Sequence, residues 1–321
     1  MKCRVCREPA VIDVRRQNAN YCTDHFLRMC RDQVRKAIEQ FDMINPGERV
    51  LVAVSGGKDS LALWEILREL GYDVDGYYIG LGIGEYSDES GSYARRYADD
   101  RGLRLVTTDL RGDHDFDVPT AAKVTRRAPC SACGLSKRHL FDKAALGGGY
   151  DVVATGHNLD DEAAVLFGNV LRWQTSYLGR QLPVLPERDG FPRKVKPLVR
   201  LGERETAAYC VLRGIDYIVE ECPMAAGNKH LGYKDALNAI EVQSPGTKHD
   251  FYFGFLQRAS ERFTGEAEEE QDELGSCAQC GAPTPGDVCA FCRLVQRVAG
   301  RESPGRQRPG PGEPVELRVK R

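Results

Sequence analysis

Cysteine is the residue type with the most chemical potential in this chain. It occurs twelve times, and ten of the twelve fall into three groups that suit metal binding. The first and last groups have the ligand number and spacing of a zinc site: Cys3, Cys6, Cys22 and His25, then Cys277, Cys280, Cys289 and Cys292. Four ligands close a tetrahedron, so we predict two structural zinc sites. Cys30 and Cys210 stand outside the groups and are interpreted as buried thiols.

The middle group comprises Cys130, Cys133 and the distant Cys222. Three thiols at one place permit two chemistries, a persulfide relay of sulfur or a [4Fe–4S] cluster that leaves one iron without a protein ligand. A third interpretation is an inert pair with an unrelated buried Cys222. Lys137 lies four residues after Cys133, on the same helix face, where its ammonium can stabilise negative charge.

A glycine-rich segment, Ser55–Ser60, reads SGGKDS and follows the apolar run Arg49–Val54, which is typical of a buried strand. An amphipathic helical pattern comes next. Gly56 and Gly57 allow backbone N–H groups to approach an anion at the helix N-terminus, and Lys58 with the flanking serine hydroxyls completes a phosphate cradle. The segment is shorter than a Walker A loop, so a different type of nucleotide site is indicated.

A second polar segment, TGHNLDDE at Thr155–Glu162, also follows an apolar run, Asp151–Ala154, and opens a helix. Taken alone, its acidic residues would complement the helix dipole. Its expected place at the same sheet edge favours a functional interpretation. There Gly156 can approach a nucleotide, and Asp161 can face the reacting centre.

Alternating strand and helix patterns predict an α/β fold with a doubly wound parallel sheet. Further expected elements are strands at Val74–Ile79, Arg104–Thr108 and Asp216–Val219, and helices at 92–101 and 134–146. We predict four regions: an N-terminal zinc-binding unit (1–30), a catalytic domain (31–265), an acidic linker with a C-terminal zinc-binding unit (266–296), and a disordered tail (297–321). Ligands of such sheets bind at the carboxyl ends of the strands.

Composition limits the partners. The formal net charge is −2 with a pI near 6.3, which counts mildly against a nucleic-acid binder, although local basic patches can serve instead. Two such patches occur. The first flanks the Cys130–Cys133 pair, with Lys123, Arg126 and Arg127 before it and Lys137 and Arg138 after it, and the second is made of Arg193, Lys194, Lys196 and Arg200. With no long apolar run and no signal-peptide pattern, we expect a cytosolic, non-membrane protein.

The motifs SGGKDS, PCSACGLSKR, TGHNLDDEA and EECP, with the two terminal cysteine units, together resemble the TtuA-type tRNA 2-thiolation enzymes, a group of PP-loop ATP pyrophosphatases. The resemblance implies an enzyme that adenylylates the C2 oxygen of the T-loop 5-methyluridine of tRNA and replaces it with sulfur. It further implies sulfur from a thiocarboxylated ubiquitin-like carrier protein, a [4Fe–4S] cluster, two Zn²⁺, ATP with Mg²⁺, and a homodimer.

The same resemblance implies residue roles. Cys130, Cys133 and Cys222 match the ligands of the cluster, and Lys137 and Asp161 match the essential polar pair, so the predicted catalytic residues are Lys137, Asp161, Cys130 and Cys222. The predicted ATP-binding residues are Ala53, Ser55, Gly56, Gly57, Lys58, Asp59, Ser60, Ile79, Lys137 and Gly156.

Alternatives remain. A sister group thiolates the wobble uridine, but its second N-terminal ligand pair tends to be CxxC, whereas this chain has Cys22-x-x-His25. An ammonia-using ATP pyrophosphatase would keep the loop and leave the cysteines unexplained. A zinc-stabilised tRNA-binding scaffold without catalysis is disfavoured by the presence of Lys58, Asp59, Lys137 and Asp161.

Overall fold

The computed structural model describes residues 1–188, 190–225, 227, 229–264 and 274–300, and the backbone of 318–319. The strands are β1 (Ile12–Val14), β2 (Ala19–Tyr21), β3 (Arg49–Val54), β4 (Asp73–Gly80), β5 (Leu105–Asp109), β6 (Val152–Thr155), β7 (Val184–Leu185), β8 (Arg193–Val195), β9 (Gly275–Ser276), β10 (Pro283–Thr284) and β11 (Arg318–Val319). The helices are α1 (Thr23–Gln40), α2 (Lys58–Glu69), α3 (Gly84–Arg101), α4 (Leu110–His114), α5 (Val118–Thr125), α6 (Pro129–Gly148), α7 (Leu159–Leu171), α8 (Thr175–Leu178), α9 (Glu203–Arg213), α10 (Lys229–Gln243), α11 (Thr247–Arg258) and α12 (Ala290–Ala299).

A seven-stranded sheet in the order β11-β5-β4-β3-β6-β8-β7 forms the centre of the molecule. Its five inner strands are parallel, and β11 and β7 pair antiparallel at the two edges. The chain runs outward from β3 through β4 to β5 and then returns to β6 on the other side of β3. The prediction of a doubly wound sheet is confirmed, and its topological switch point lies between β3 and β6.

The core explains why β3 is a strand. Val50, Leu51 and Val52 are fully buried, as expected for a central parallel strand covered on both faces. One face packs against α1, α2, α9 and α11, and the other against α5, α6 and the C-terminal cysteine unit. On α2, the fully buried Trp64 lies so close to Gly76 of β4 that a Cβ there would come within 2.8 Å of the indole ring.

Three sequence expectations differ from the structure. The helix expected at 92–101 begins at Gly84, because buried Ser87 and Ser90 bond to Tyr78 and so extend it over a polar first turn. The segment 216–219 is not a strand, since the Ile218 N–H donates to the Gly56 carbonyl (3.0 Å) instead of to a sheet partner. Helix α1 runs without a break across the expected boundary at residue 30.

The predicted acidic linker lies almost entirely outside the described residues, and so does most of the predicted disordered tail. The tail prediction began at 297, yet residues 297–299 belong to α12 and Arg318–Val319 pairs with β5. Among the helices that the structure describes, none has the length and apolarity to cross a bilayer.

Candidate active site and metal centres

The SGGKDS segment forms the turn between β3 and α2. Gly56 has φ +75°, a left-handed conformation that glycine adopts without strain. The Ser60 hydroxyl accepts from the Ser55 N–H (3.1 Å) and donates to the Gly57 carbonyl (2.9 Å), which closes the loop. Gly57 is the N-cap of α2 and has no side chain to occupy the first N–H groups of the helix. Those donors are therefore available to an anion.

A cavity of about 290 Å³ opens beside this loop, at the carboxyl ends of β3, β4 and β6. Its wall contains seven of the ten predicted ATP-binding residues: Ala53, Ser55, Asp59, Ser60, Ile79, Lys137 and Gly156. Gly56, Gly57 and Lys58 lie in the loop next to the cavity. Further wall residues outside the predicted ATP-binding set include Tyr78, Tyr86 and Phe141, together with His157 from the second polar segment. The size is near the lower end of the range for small-molecule sites.

The close fit of Gly156 shows how the two polar segments meet. A Cβ at Gly156 would lie 3.0 Å from the Asp59 carbonyl carbon and the Ser60 nitrogen. The segment after β6 therefore packs against the first turn of α2 with no room for a side chain. This confirms that the two motifs share one edge of the sheet.

A network of charged side chains borders the cavity. Lys58 pairs with Asp59 (3.1 Å) and with Glu203 at the start of α9 (2.8 Å). Lys234 on α10 joins Glu203 (3.2 Å) to Asp161 (2.6 Å). Three carboxylates thus share two ammonium groups. Sequence reasoning missed Glu203 and Lys234 because they lie far along the chain and belong to no motif.

The pKa values of Asp59 and Lys58 reflect burial and this excess of carboxylates over ammonium groups. Burial raises the pKa of Asp59, and the nearby Asp161 carboxylate adds to the rise, although Lys58 and the Thr206 hydroxyl oppose it. Burial lowers the pKa of Lys58, but the two carboxylates that contact it outweigh burial and the net pKa is raised. Lys58 therefore stays an ammonium, next to the loop in which a phosphate would bind.

Asp161 does not line the cavity. It is the third residue of α7 and forms a capping box with Asn158, in which each side chain accepts a hydrogen bond of 3.1 Å from the backbone N–H of the other. Its other oxygen contacts Lys234. Asn158 also donates to Asp59 (3.1 Å), so the capping box is tied to the nucleotide loop. The catalytic role of Asp161 stays a prediction.

The three middle cysteines lie close to one another beside the cavity. Cys130 is exposed at the start of α6, with its Sγ 3.8 Å from the Met224 carbonyl, and Cys133 and Cys222 are half-buried in the same apolar cluster. Burial raises the pKa of Cys133, while Lys137 lowers it and both other thiols raise it further. Burial, with Cys222 and Cys133 nearby, raises the pKa of the cavity residue Tyr86 to about 12.

Within the described residues, these three sulfurs are not among the sets that could share a single metal ion with all ligand atoms inside 4.8 Å. A [4Fe–4S] cluster does not demand that, because each thiolate binds a different iron. Three thiols from two segments, next to a cavity wall that contains Lys137, fit such a cluster.

Both terminal groups do meet the single-ion criterion. The ligand atoms of Cys3, Cys6, Cys22 and His25 lie within 4.8 Å of one another, and so do those of Cys277, Cys280, Cys289 and Cys292. Representative separations are 3.6 Å for Cys6–Cys22 and 3.7 Å for Cys280–Cys289. Bonds of ~2.3 Å in a tetrahedron place ligands about 3.8 Å apart, so the geometry suits zinc.

Backbone hydrogen bonds lower the pKa of one cysteine in each of these two sites. Burial raises the pKa of Cys3 and Cys277, but N–H groups of the surrounding turns outweigh it and lower both pKa values to about 6. The other two cysteines, Cys30 and Cys210, are fully buried as predicted, and burial raises the pKa of the Cys210 thiol to about 12.

The C-terminal cysteine unit is fixed to the catalytic domain by Phe291. Its ring stacks on His139 of α6 with centroids 4.2 Å apart and meets His114 edge-on at 5.2 Å. Burial lowers the pKa of His139 to about 4, so the ring is neutral at pH 7. A groove of about 840 Å³ lies between α6 and this unit. It is larger than the nucleotide cavity but shares no wall residue with it.

The cations of the second basic patch expected from the sequence bond to other side chains of the protein. Lys194 pairs with Asp142 and Lys196 with Glu162, both at 2.7 Å, and Arg193 pairs with Glu48. Arg200 is buried and bonds to Gln40. Three of these charges therefore neutralise carboxylates of the fold, and Arg200 bonds to an amide oxygen, which disfavours the expected contact of this patch with phosphate.

The loop after the first strand of a doubly wound sheet, with Gly156 packed against it, defines a PP-loop protein. Residues 28–226 match the family described as the PP-loop domain, and residues 2–27 match the N-terminal LIM domain of the 2-thiouridine synthetase TtuA. The chain belongs to the TtuA-type family of PP-loop tRNA 2-thiolation enzymes and is a sulfurtransferase.

Two relatives and one solved structure illustrate this. The tRNA-5-methyluridine(54) 2-sulfurtransferase of Thermus thermophilus is 49% identical over 94% of this chain and 93% of its own length. The protein of the same name from Pyrococcus horikoshii is 41% identical over 92% of this chain and 93% of its own length. The U34-tRNA thiolase NcsA from Methanococcus maripaludis, solved with its [4Fe-4S] cluster, has the same fold, with a TM-score of 0.75 at 23% identity over 92% and 96% of the two chains.

Proposed function

We propose that this enzyme thiolates the 5-methyluridine at position 54 of the tRNA T-loop. The support is the identity of 49%, 41% and 38% to three relatives named for that nucleoside, against 29% to a relative named tRNA 2-thiolation protein NcsA. The ligand pair Cys22-x-x-His25 favours the same assignment. The wobble uridine is the alternative.

ATP would bind with its phosphates at the SGGKDS loop. The N–H groups at the start of α2 and the dipole of that helix favour anions there, and Lys58 adds a positive charge. Asp59 is the carboxylate of the cavity wall, so it would supply a ligand or a water-mediated contact to an ATP-bound Mg²⁺. The ring of Phe141 and the side chain of Ile79 would cover the apolar adenosine.

The C2 oxygen of the base would attack the α-phosphorus of ATP and release pyrophosphate. A sulfur nucleophile would then add to C2, and AMP would leave with the original oxygen. Lys137 would neutralise charge at both stages. This is supported by its side chain, which lines the cavity and acts electrostatically on Cys133. Asp161 and Lys234 would orient the loop through Asn158 and Glu203.

Cys130, Cys133 and Cys222 would hold a [4Fe–4S] cluster, which when bound supplies a position for sulfur on the iron that lacks a protein ligand. The exposed position of Cys130 also suits a persulfide relay through Cys130 and Cys222, which is the competing mechanism. A thiocarboxylated ubiquitin-like carrier as sulfur source, Zn²⁺ at the two terminal sites, a homodimer and a cytosolic location complete the proposal.

The arrangement of Lys137 and Cys133 at one end of a PP-loop cavity is the observation that carries this function. The test is nucleoside mass spectrometry on unmodified tRNA after incubation with anaerobically purified enzyme, ATP and sulfide. We expect 2-thio-5-methyluridine and about four irons per chain, both lost in Cys133→Ser and retained in the control Cys30→Ala. Thiolation at the wobble base would overturn the position, and full activity without iron would overturn the cluster.

A further inference from the structure

His157 contributes an imidazole to the wall of the nucleotide cavity. It follows Gly156 directly after β6, and its side chain is exposed. The same wall contains Ser55 and Asp59 of the SGGKDS loop and, from α6, Lys137. An exposed ring in this wall lies at the rim of the cavity, where it can be reached both from the phosphate loop and by a base that enters from solvent.

A hydrogen bond to Thr155 orients this ring. The Nδ1 atom of His157 lies 2.8 Å from the Thr155 hydroxyl, which donates its single proton to the Val195 carbonyl of β8 (3.4 Å). The hydroxyl therefore accepts from Nδ1–H, and the lone pair of the ring is at Nε2. In the part of the chain that the structure describes, Nε2 has no hydrogen-bond partner. The ring thus presents a proton acceptor to the cavity.

The proposed adenylylation creates a proton that must be removed. When the C2 oxygen of the base attacks the α-phosphorus of ATP, its double bond to C2 becomes single and a double bond forms between C2 and N3. The N3–H bond must break for this to happen, so a proton acceptor beside N3 lowers the barrier. The phosphate loop and Lys137 stabilise negative charge, and neither accepts this proton.

The other groups of the cavity wall are less suited to this task. The titratable side chains among its described residues are Asp59, Tyr78, Tyr86, Lys137 and His157. Asp59 already accepts hydrogen bonds from three neighbouring side chains. Burial raises the pKa of both tyrosines, that of Tyr86 to about 12, so both phenols keep their protons at pH 7. Lys137 acts as a cation that lowers the pKa of Cys133. His157 remains.

We propose that His157 is the general base of the adenylylation step. Its Nε2 takes the N3 proton as the C2 oxygen bonds to the α-phosphorus, and pyrophosphate leaves with the electron pair of the broken P–O bond. When hydrosulfide then adds to C2 and AMP leaves with the oxygen, the imidazolium returns a proton to N3 and the hydrosulfide proton passes to water. Thr155 is a positioning residue that fixes the tautomer. The inference rests on the proposed function, which supplies the base.

The test is tRNA-dependent release of pyrophosphate in a single turnover without a sulfur source, with 5-methyluridine at position 54. In His157→Ala we expect the rate to fall about a hundredfold, while the Kd for ATP stays within about threefold of the wild type. Added imidazole should recover about tenfold of the rate in this variant but none in Lys137→Gln, which lacks a cation and not a base. Thr155→Val should slow release about tenfold, and Thr155→Ser should restore most of the rate.

A tRNA with 5-fluorouridine at position 54 gives a second measurement, because its N3–H is more acidic and depends less on a base. The loss in His157→Ala should be several times smaller with this tRNA, whereas a structural role would slow both tRNAs equally. Equal losses without rescue by imidazole, or a wild-type rate in His157→Ala, would overturn the inference. A Kd for ATP that rises as much as the rate falls would assign the ring to nucleotide binding and also overturn it. Wild-type enzyme that releases no pyrophosphate with either tRNA would instead overturn the proposed function.

Discussion

Replacing Gly56 by alanine tests the packing of the nucleotide loop. Gly56 has φ +75°, and a Cβ there would lie 2.9 Å from the Ser90 carbonyl carbon and 3.1 Å from its Cα, with the carbonyl oxygen still closer. The contacts are with backbone of α3, which cannot rotate away. The left-handed conformation costs about 1–2 kcal/mol, and overpacking costs typically ~1–3 kcal/mol more. We expect Gly56→Ala to lower the free energy of unfolding by about 3 kcal/mol.

Gly47 provides a matched control. It has φ +84°, but no atom lies within 4 Å of the position that a Cβ would take, so Gly47→Ala should cost only the conformational part, about 1–2 kcal/mol. The effect of alanine on the unfolded chain is the same in both variants and cancels in the comparison.

Urea denaturation gives the two stabilities, and calorimetry gives ATP affinity. We expect Gly56→Ala to be destabilised by about 2 kcal/mol more than Gly47→Ala. Its Kd for ATP should rise at least tenfold, since the loop must move to relieve the contact with Ser90. The Gly56 carbonyl also accepts from Ile218, so the segment that leads to Cys222 would move with it. Equal stabilities and equal ATP affinities would refute the proposed packing of this loop.

Three further outcomes are expected. Burial opposes ionisation of Glu65, but Tyr97, Arg213 and Arg68 lower its pKa to about 2. Its stabilising effect is therefore present above pH ~4.5 and is lost as the pH falls toward 2, and Glu65→Gln should flatten acid denaturation in that window. Lys234→Met leaves Asp161 without its cation, and should raise the Kd for ATP severalfold without changing metal content. Cys277→Ser should lower bound zinc from two ions to one by atomic absorption; an unchanged count would contradict the C-terminal site.

The parallel sheet could be predicted from the sequence, and so could the common edge of the SGGKDS and TGHNLDDE segments, because both depend on local patterns. The apolar run of β3, followed closely by two glycines and a helical pattern, is typical of a buried strand, a tight turn and a helix. The terminal cysteine groups were also predictable, since spacings of two residues fix ligand pairs in a turn. The start of α3 was not, because its polar first turn is held by Tyr78 from a neighbouring strand.

The network around the loop depends on contacts distant in sequence. Glu203 and Lys234 reach Lys58 and Asp161 only after α9 and α10 have packed, and no spacing in the chain marks them. The pairing of the second basic patch was missed for the same reason, because the carboxylates that neutralise it come from other segments. Charge patterns alone do not distinguish a solvated cation from a paired one.

The proposed function depends on whether the cavity uses ATP to activate an oxygen of the tRNA base. The most direct measurement uses tRNA labelled with ¹⁸O at C2 of the T-loop 5-methyluridine, incubated with enzyme, ATP and sulfide. We predict that AMP gains one ¹⁸O for each sulfur incorporated, as mass spectrometry would detect. Thiolated tRNA formed with unlabelled AMP, or with ADP and phosphate as products, would contradict this activation chemistry.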